Sequence, residues 1–171
     1  MPAFSKETLE KFKNSQATLA DLFGLDARQV AALMTTGHTL WQQGQLEKAK
    51  NLFTGLALLD PANPYFHIVI ASIHQKQEKY DAAIQRYNWA LQIFPNDMNS
   101  LTNRGECHLN LGKFQDAAAD LKKSIELDPG KKHPASARAR ILFLSAHEAL
   151  KLVKESGPEA LAEARKKITA E

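Results

Sequence analysis

The chain has 171 residues, 44% of them hydrophobic and 24% charged, with a formal net charge of +3. That is the balance of an ordinary globular protein with one core, and it excludes collagen-like and low-complexity classes. The single cysteine, Cys107, excludes an internal disulfide. The longest apolar runs, such as Leu56 to Leu59, are far short of the roughly 20 residues that span a bilayer. The first sixteen residues have no apolar stretch behind a basic start, so no secretory signal is expected. A soluble, cytoplasmic, all-α protein is predicted, without stable membrane insertion.

In chain order, residues 5–24 come first. Leu9, Phe12, Leu19, Leu22 and Phe23 fall among polar residues as one apolar stripe on an amphipathic helix over 5–22. Gly24 breaks it, and Asp26 with Gln29 forms a capping box for the next helix. The stripe has two possible uses. It can contact a second copy of the chain in a homodimer, or fold back over Val30, Leu33 and Leu40 as a cap.

Three segments then repeat at a constant period of 34, over residues 30–63, 64–97 and 98–131. Offset 8 carries Gly37, Ala71 and Gly105, and offset 20 carries Ala49, Ala83 and Ala117. Offset 24 carries Phe53, Tyr87 and Leu121, and offset 32 carries Pro61, Pro95 and Pro129. Small residues at two of these offsets let two antiparallel helices approach closely, and the larger side chain fills the space beside them. Gly44 and Gly112 end the first helix of their repeats in a left-handed turn. Repeat two has Glu78 there, so its turn should carry strain. Asp60, Asp128, Asn63 and Asn96 supply turn and capping acceptors. This period and these offsets identify tetratricopeptide repeats, each a helix-turn-helix unit, stacked as a superhelix.

After the repeats, a helix over 135–155 carries Ile141, Leu142, Leu144, Leu150 and Val153, placed to cover the last repeat's apolar face. Gly157-Pro158 punctuates it, and 158–171 forms a basic tail. Residues 131–171 carry a net charge of +4 against −1 for the rest. No stripe of interleaved aromatic and basic residues appears, so nucleic acid is not an expected partner.

The first helix of each repeat should line a concave groove, with offsets 2, 5, 9 and 12 facing inward. These are Ala31, Met34, His38 and Trp41, then Tyr65, Ile68, Ser72 and Gln75, then Asn99, Thr102, Glu106 and Leu109. The wall is apolar and aromatic at one end and polar at the other, and an exposed aromatic stripe marks a peptide-binding site. Repeats that grip the C-terminal carboxylate of heat-shock chaperones need Lys and Asn in this groove. Here Met34, His38, Val69, Asn99 and Asn103 stand at those places, with no cation to pair the carboxylate.

The run LWQQGQLEKAKNLFTGLALLDPANPYF, then YDAAIQRYNWAL, behind a helical N-terminal extension, resembles the class II chaperones of bacterial type III secretion systems. The resemblance covers about residues 5–150. It implies a cytoplasmic protein that holds a hydrophobic translocator before export, preventing its aggregation. It also implies that Met34, His38, Trp41, Phe66 and Ile68 form the apolar pockets for an extended client segment, and that the N-terminal segment pairs two copies. The alternative expectation is an adaptor that scaffolds a secretion or pilus assembly without chaperoning.

No catalytic reading competes. There is no nucleophile elbow and no phosphate-cradling glycine loop. The six histidines show no metal-ligand spacing, and His74 and His108 at offset 11 should be packing residues with one hydrogen bond each. No enzyme activity, metal or cofactor is expected.

Overall fold

In a computed structural model of the chain, residues 5–14 and 16–168 are described, the side chains of 158 and 160–168 excepted. Residues 169–171 of the expected basic tail lie outside the described residues. The described residues form nine helices: α1 (Lys6–Lys13), α2 (Leu19–Leu22), α3 (Ala27–Gln42), α4 (Leu46–Leu59), α5 (Pro64–Lys76), α6 (Tyr80–Ile93), α7 (Met98–Asn110), α8 (Phe114–Glu126) and α9 (Pro134–Ile168). Gly157, at φ 79°, interrupts α9. From α3 to α8 each helix packs against the next as a superhelix of three hairpins, and α9 lies on both α7 and α8.

Local sequence sets each hairpin. Helices α3, α5 and α7 start on side-chain caps. Asp26 accepts from Gln29 N at 2.8 Å while the Gln29 amide oxygen accepts from Asp26 N at 2.8 Å. Asn63 accepts from Tyr65 N at 3.1 Å, and Pro64 occupies the first turn, where a missing N–H costs nothing. The third cap is Asp97, accepting from Ser100 N at 2.8 Å, one residue beyond the expected Asn96. Between the helices of each hairpin, Gly44 (φ 74°) and Gly112 (φ 75°) take the left-handed conformation, and Glu78 takes it at φ 58°.

Each hairpin closes on its small residues. A Cβ on Gly37 would meet the Phe53 ring at 2.6 Å, and one on Gly105 would meet Leu121 at 2.8 Å. Ala49, Ala83 and Ala117 are fully buried, as are Phe53, Tyr87 and Leu121. The core runs along the stack as three clusters, one around Phe53, Phe66 and Ile73, one around Tyr87 and Cys107, and one around Leu121, Ala139 and Ala146. Burying each large side chain contributes about 1.5–3 kcal/mol.

Asp128 fastens α9 to the last hairpin. Its carboxylate accepts from Ser136 Oγ at 2.5 Å and from His133 N at 2.8 Å, while Arg140 donates to its carbonyl at 3.1 Å. These donors, the Ser136 hydroxyl first, hold its pKa down to about 2. Ala139, 34 residues after Gly105, is fully buried, so α9 occupies the place of a fourth repeat's first helix.

The N-terminal stripe is not one helix. Thr18 begins α2 with a capping box of its own, donating its backbone N–H to Asp21 Oδ2 at 2.7 Å and accepting from Asp21 N at 3.3 Å. Leu9 and Phe12 therefore sit on α1, and Leu19 and Leu22 on α2. The reason is local: a good Asx/Thr cap outcompetes continuation of a helix. Helix α1 packs against α2, and α2 against α4, where Ala20 is buried.

Candidate functional site

The expected wall on the first helices divides into two hollows. In the first half, the His38 ring stands edge-on to Phe53, with centroids 5.2 Å apart, and its Nε2 is hydrogen-bonded to the Tyr65 hydroxyl. Trp41 and Met34 are half-buried against the first core cluster, and Ile68 against the second. Tyr65 is 37% exposed. Beside it opens a hollow of about 600 Å³ lined by Pro64, Tyr65, Ile68, Phe94 and Pro95, with Asn96 and Asp97 at the rim. Phe94, 55% exposed, was not legible as a groove residue because it lies after α6 in a connection, where helical offsets no longer apply.

The second hollow, about 420 Å³, is polar. The buried Tyr87 hydroxyl, its pKa pushed up to about 12 by desolvation, stays protonated and donates to Gln75 Oε1 at 2.9 Å. Ser72 Oγ lies 3.1 Å from the same hydroxyl. Gln75 Nε2 in turn donates to Glu106 Oε2 at 2.6 Å, so one chain of hydrogen bonds crosses from α6 through α5 to α7. Arg138 of α9 closes the row, bonded to Asn103 Oδ1 and 3.6 Å from the Glu106 carboxylate. The expectation that no cation lines the groove is overturned by Arg138 and Lys76 at this hollow, and sequence offsets missed Arg138 because they stop with the third repeat. The continuing small residue at Ala139 was the available signal that α9 keeps the register.

Two expected wall residues lie in the core and a third is half-buried. Phe66 is 1% exposed and belongs to the first core cluster. Thr102 is 0% exposed, its hydroxyl 2.8 Å from Ser124 Oγ and 3.3 Å from the Ala135 carbonyl, tying α7 to α8 and α9. Leu109 packs half-buried on the third cluster. All three lie where a neighbouring helix covers the wall. Ala31 and Asn99 are exposed. Met34 also borders a hollow of about 340 Å³ shared with Thr18, Ala20 and Leu25, so the N-terminal segment adjoins the start of the wall.

The histidines behave as packing residues. His67 is stacked on Trp89 at 3.8 Å between centroids, and its Nδ1 accepts from Arg86 at 3.2 Å. His74 Nδ1 and His108 Nδ1 are buried without a hydrogen-bond partner. Desolvation lowers the pKa of His67, His74 and His108. Among the described residues no group of three His, Cys, Asp or Glu could hold a metal ion, and no helix is long and apolar enough to cross a membrane.

Comparison with known proteins follows the same lines. Two family models described as tetratricopeptide repeat match residues 34–97 and 70–143, together more than half of the chain. Chaperone protein SicA of Salmonella typhimurium is 28% identical over 126 residues, 74% of each chain. The Yersinia enterocolitica type III secretion chaperone SycD, solved with a peptide of the translocator YopD, superposes with a TM-score of 0.67 at 25% identity, covering 77% of this chain and 98% of that one. A T3SS complex from Aeromonas hydrophila gives a TM-score of 0.77 at 21% identity, covering 86% and 99%.

Proposed function

The chain belongs to the tetratricopeptide-repeat family and resembles the translocator chaperones of type III secretion, and we propose that it does the same work. In the cytoplasm it holds an extended segment of a hydrophobic translocator in its groove and keeps that client from aggregating before export. The carrying observation is the unfilled apolar hollow at Tyr65, Ile68 and Phe94, beside the ring cluster of His38 and Trp41. A wall of this kind binds by burying aromatic and aliphatic anchors, without chemistry on the ligand. The likeness to a chaperone solved with a translocator peptide supports the same reading.

The groove site comprises Met34, His38, Trp41, Tyr65, Ile68 and Phe94, followed by Ser72, Gln75 and Glu106. A second copy pairs through Leu9 and Phe12 on α1, a helix that packs on α2 and buries no residue. Coexpression with a type III translocator from the same organism tests the client reading. The translocator should stay soluble and copurify, and Tyr65→Ala with Phe94→Ala should weaken the complex about 30-fold, the effect of one strong anchor. A translocator that aggregates equally with and without this protein would sink the chaperone role and leave an adaptor.

A further inference from the structure

The lining of the second hollow carries more cationic than anionic side chains. Arg138, with 48% of its side chain exposed, donates to Asn103 and forms an ion pair with the Glu106 carboxylate at 3.6 Å, longer than a hydrogen bond. Its guanidinium carries five N–H donors, and Arg138 lines the hollow. Lys76 lines the same hollow and forms no ion pair among the described residues. Against these stands one carboxylate, Glu106, already accepting from Gln75 at 2.6 Å. Two cations and one anion leave the lining with one positive charge in excess.

Resting on the groove reading above, we propose that this hollow selects an acidic side chain of the bound segment, with Arg138 and Lys76 as the specificity-determining pair. An aspartate or glutamate carboxylate supplies up to four acceptor positions, matches a guanidinium fork and neutralises the excess charge. Ile68 lines the first hollow and Ser72, about one helical turn further along α5, lines the second, so apolar anchors and a carboxylate can belong to one short extended stretch rising about 3.3 Å per residue. The groove then reads apolar anchors and an acid together, and Arg138 makes α9 part of the recognition surface.

Fluorescence polarisation with three pools of labelled nine-residue peptides tests this on the full-length protein. All pools carry degenerate Val, Leu, Ile and Pro positions, and one further position holds Asp or Glu, Asn or Gln, or Lys or Arg. The acidic pool should bind about tenfold tighter than the amide pool, a charge-assisted contact in a partly open site. Raising salt should shrink that ratio. Arg138→Gln should bring the ratio close to one, and Lys76→Gln should reduce it. Undiminished binding of the amide pool by each variant shows that the groove is intact, so a general loss of fold cannot imitate the result. Equal binding of the acidic and amide pools overturns the acid preference while the groove reading stands. A tightest basic pool overturns it in favour of Glu106 reading a cation. Binding by no pool overturns the groove reading as well.

Discussion

Gly37 lies so close to Phe53 that a methyl group at its Cα would come within 2.6 Å of Cε2. The ring cannot withdraw, because His38 stands 5.2 Å away and Tyr65 and Phe66 each 6.5 Å away, centroid to centroid. Gly37→Ala gains about 1 kcal/mol of helix propensity, but overpacking costs about 1–3 kcal/mol. The clash wins, and urea unfolding should show a net loss of up to about 2 kcal/mol. An unchanged midpoint would mean that the ring has room to move into the groove.

Glu78→Gly should act in the opposite direction. The left-handed conformation costs a residue with a Cβ about 1–2 kcal/mol, and the equivalent turn positions are Gly44 and Gly112. Glycine's greater freedom in the unfolded chain takes back up to about 1 kcal/mol. A gain of about 0.5–1 kcal/mol in chemical denaturation is expected. A loss would show that the Glu78 side chain contributes more than its backbone strain removes.

The repeat register was legible because it rests on sterics that act at single positions. Gly37, Ala83 and Ala117 have to be small where two helices meet, and Pro61, Pro95 and Pro129 cannot continue a helix. The groove was legible only in part. Offsets place a residue on a face but do not say whether another helix lies over that face, which is why Thr102 was expected in the wall and lies in the core; Phe66, placed in the wall by the family resemblance, also lies in the core. Trp41 is intermediate: half-buried on the first cluster, it serves both wall and core, so Trp41→Ala should weaken the fold as well as the groove. Phe94 and Arg138 reach the groove from a connection and from the last helix, outside the pattern that the repeats define. The N-terminal stripe misled because Thr18 and Asp21 cap a new helix inside it.

Stability should fall as the solution is acidified below about pH 6.5. His67, His74 and His108 have folded-state pKa values lowered chiefly by desolvation. Between those values and the unfolded value of about 6.5, the unfolded chain binds more protons. Their neutral forms favour the fold fully above about pH 6.5, and the contribution is lost as pH falls through the lowered values. Asp128, with its pKa near 2, stays charged throughout this window and adds no slope. Melting temperatures measured from about pH 7.5 to 5 should decline, and His74→Phe should flatten the decline. A flat wild-type profile would show that all three rings protonate freely in the folded state.

Deleting residues 1–24 should lower the melting temperature by about 2–4 °C, the effect of losing roughly 1 kcal/mol in a domain of this size. Helix α2 packs on α4, and Ala20 is buried there. The pairing role assigned to α1 separates from this capping role. Leu9→Asp with Phe12→Asp should leave melting nearly unchanged while light scattering shows the mass of a single chain. A full-length protein already monomeric at micromolar concentration would remove the pairing role and leave the cap.

Cys107 sits with none of its surface exposed between the second and third hairpins, and desolvation, aided by the Glu106 charge, pushes its thiol up to about 12. A thiol in that state is neither ionised nor reachable, so alkylating reagents leave the folded protein untouched. They can react only with molecules in which α5, α6 and α7 have separated. Since the chain has no other cysteine, the labelling half-time of the native sequence is a clock for that separation. Run with and without a client peptide, the same clock reports whether filling the groove holds the two hairpins together.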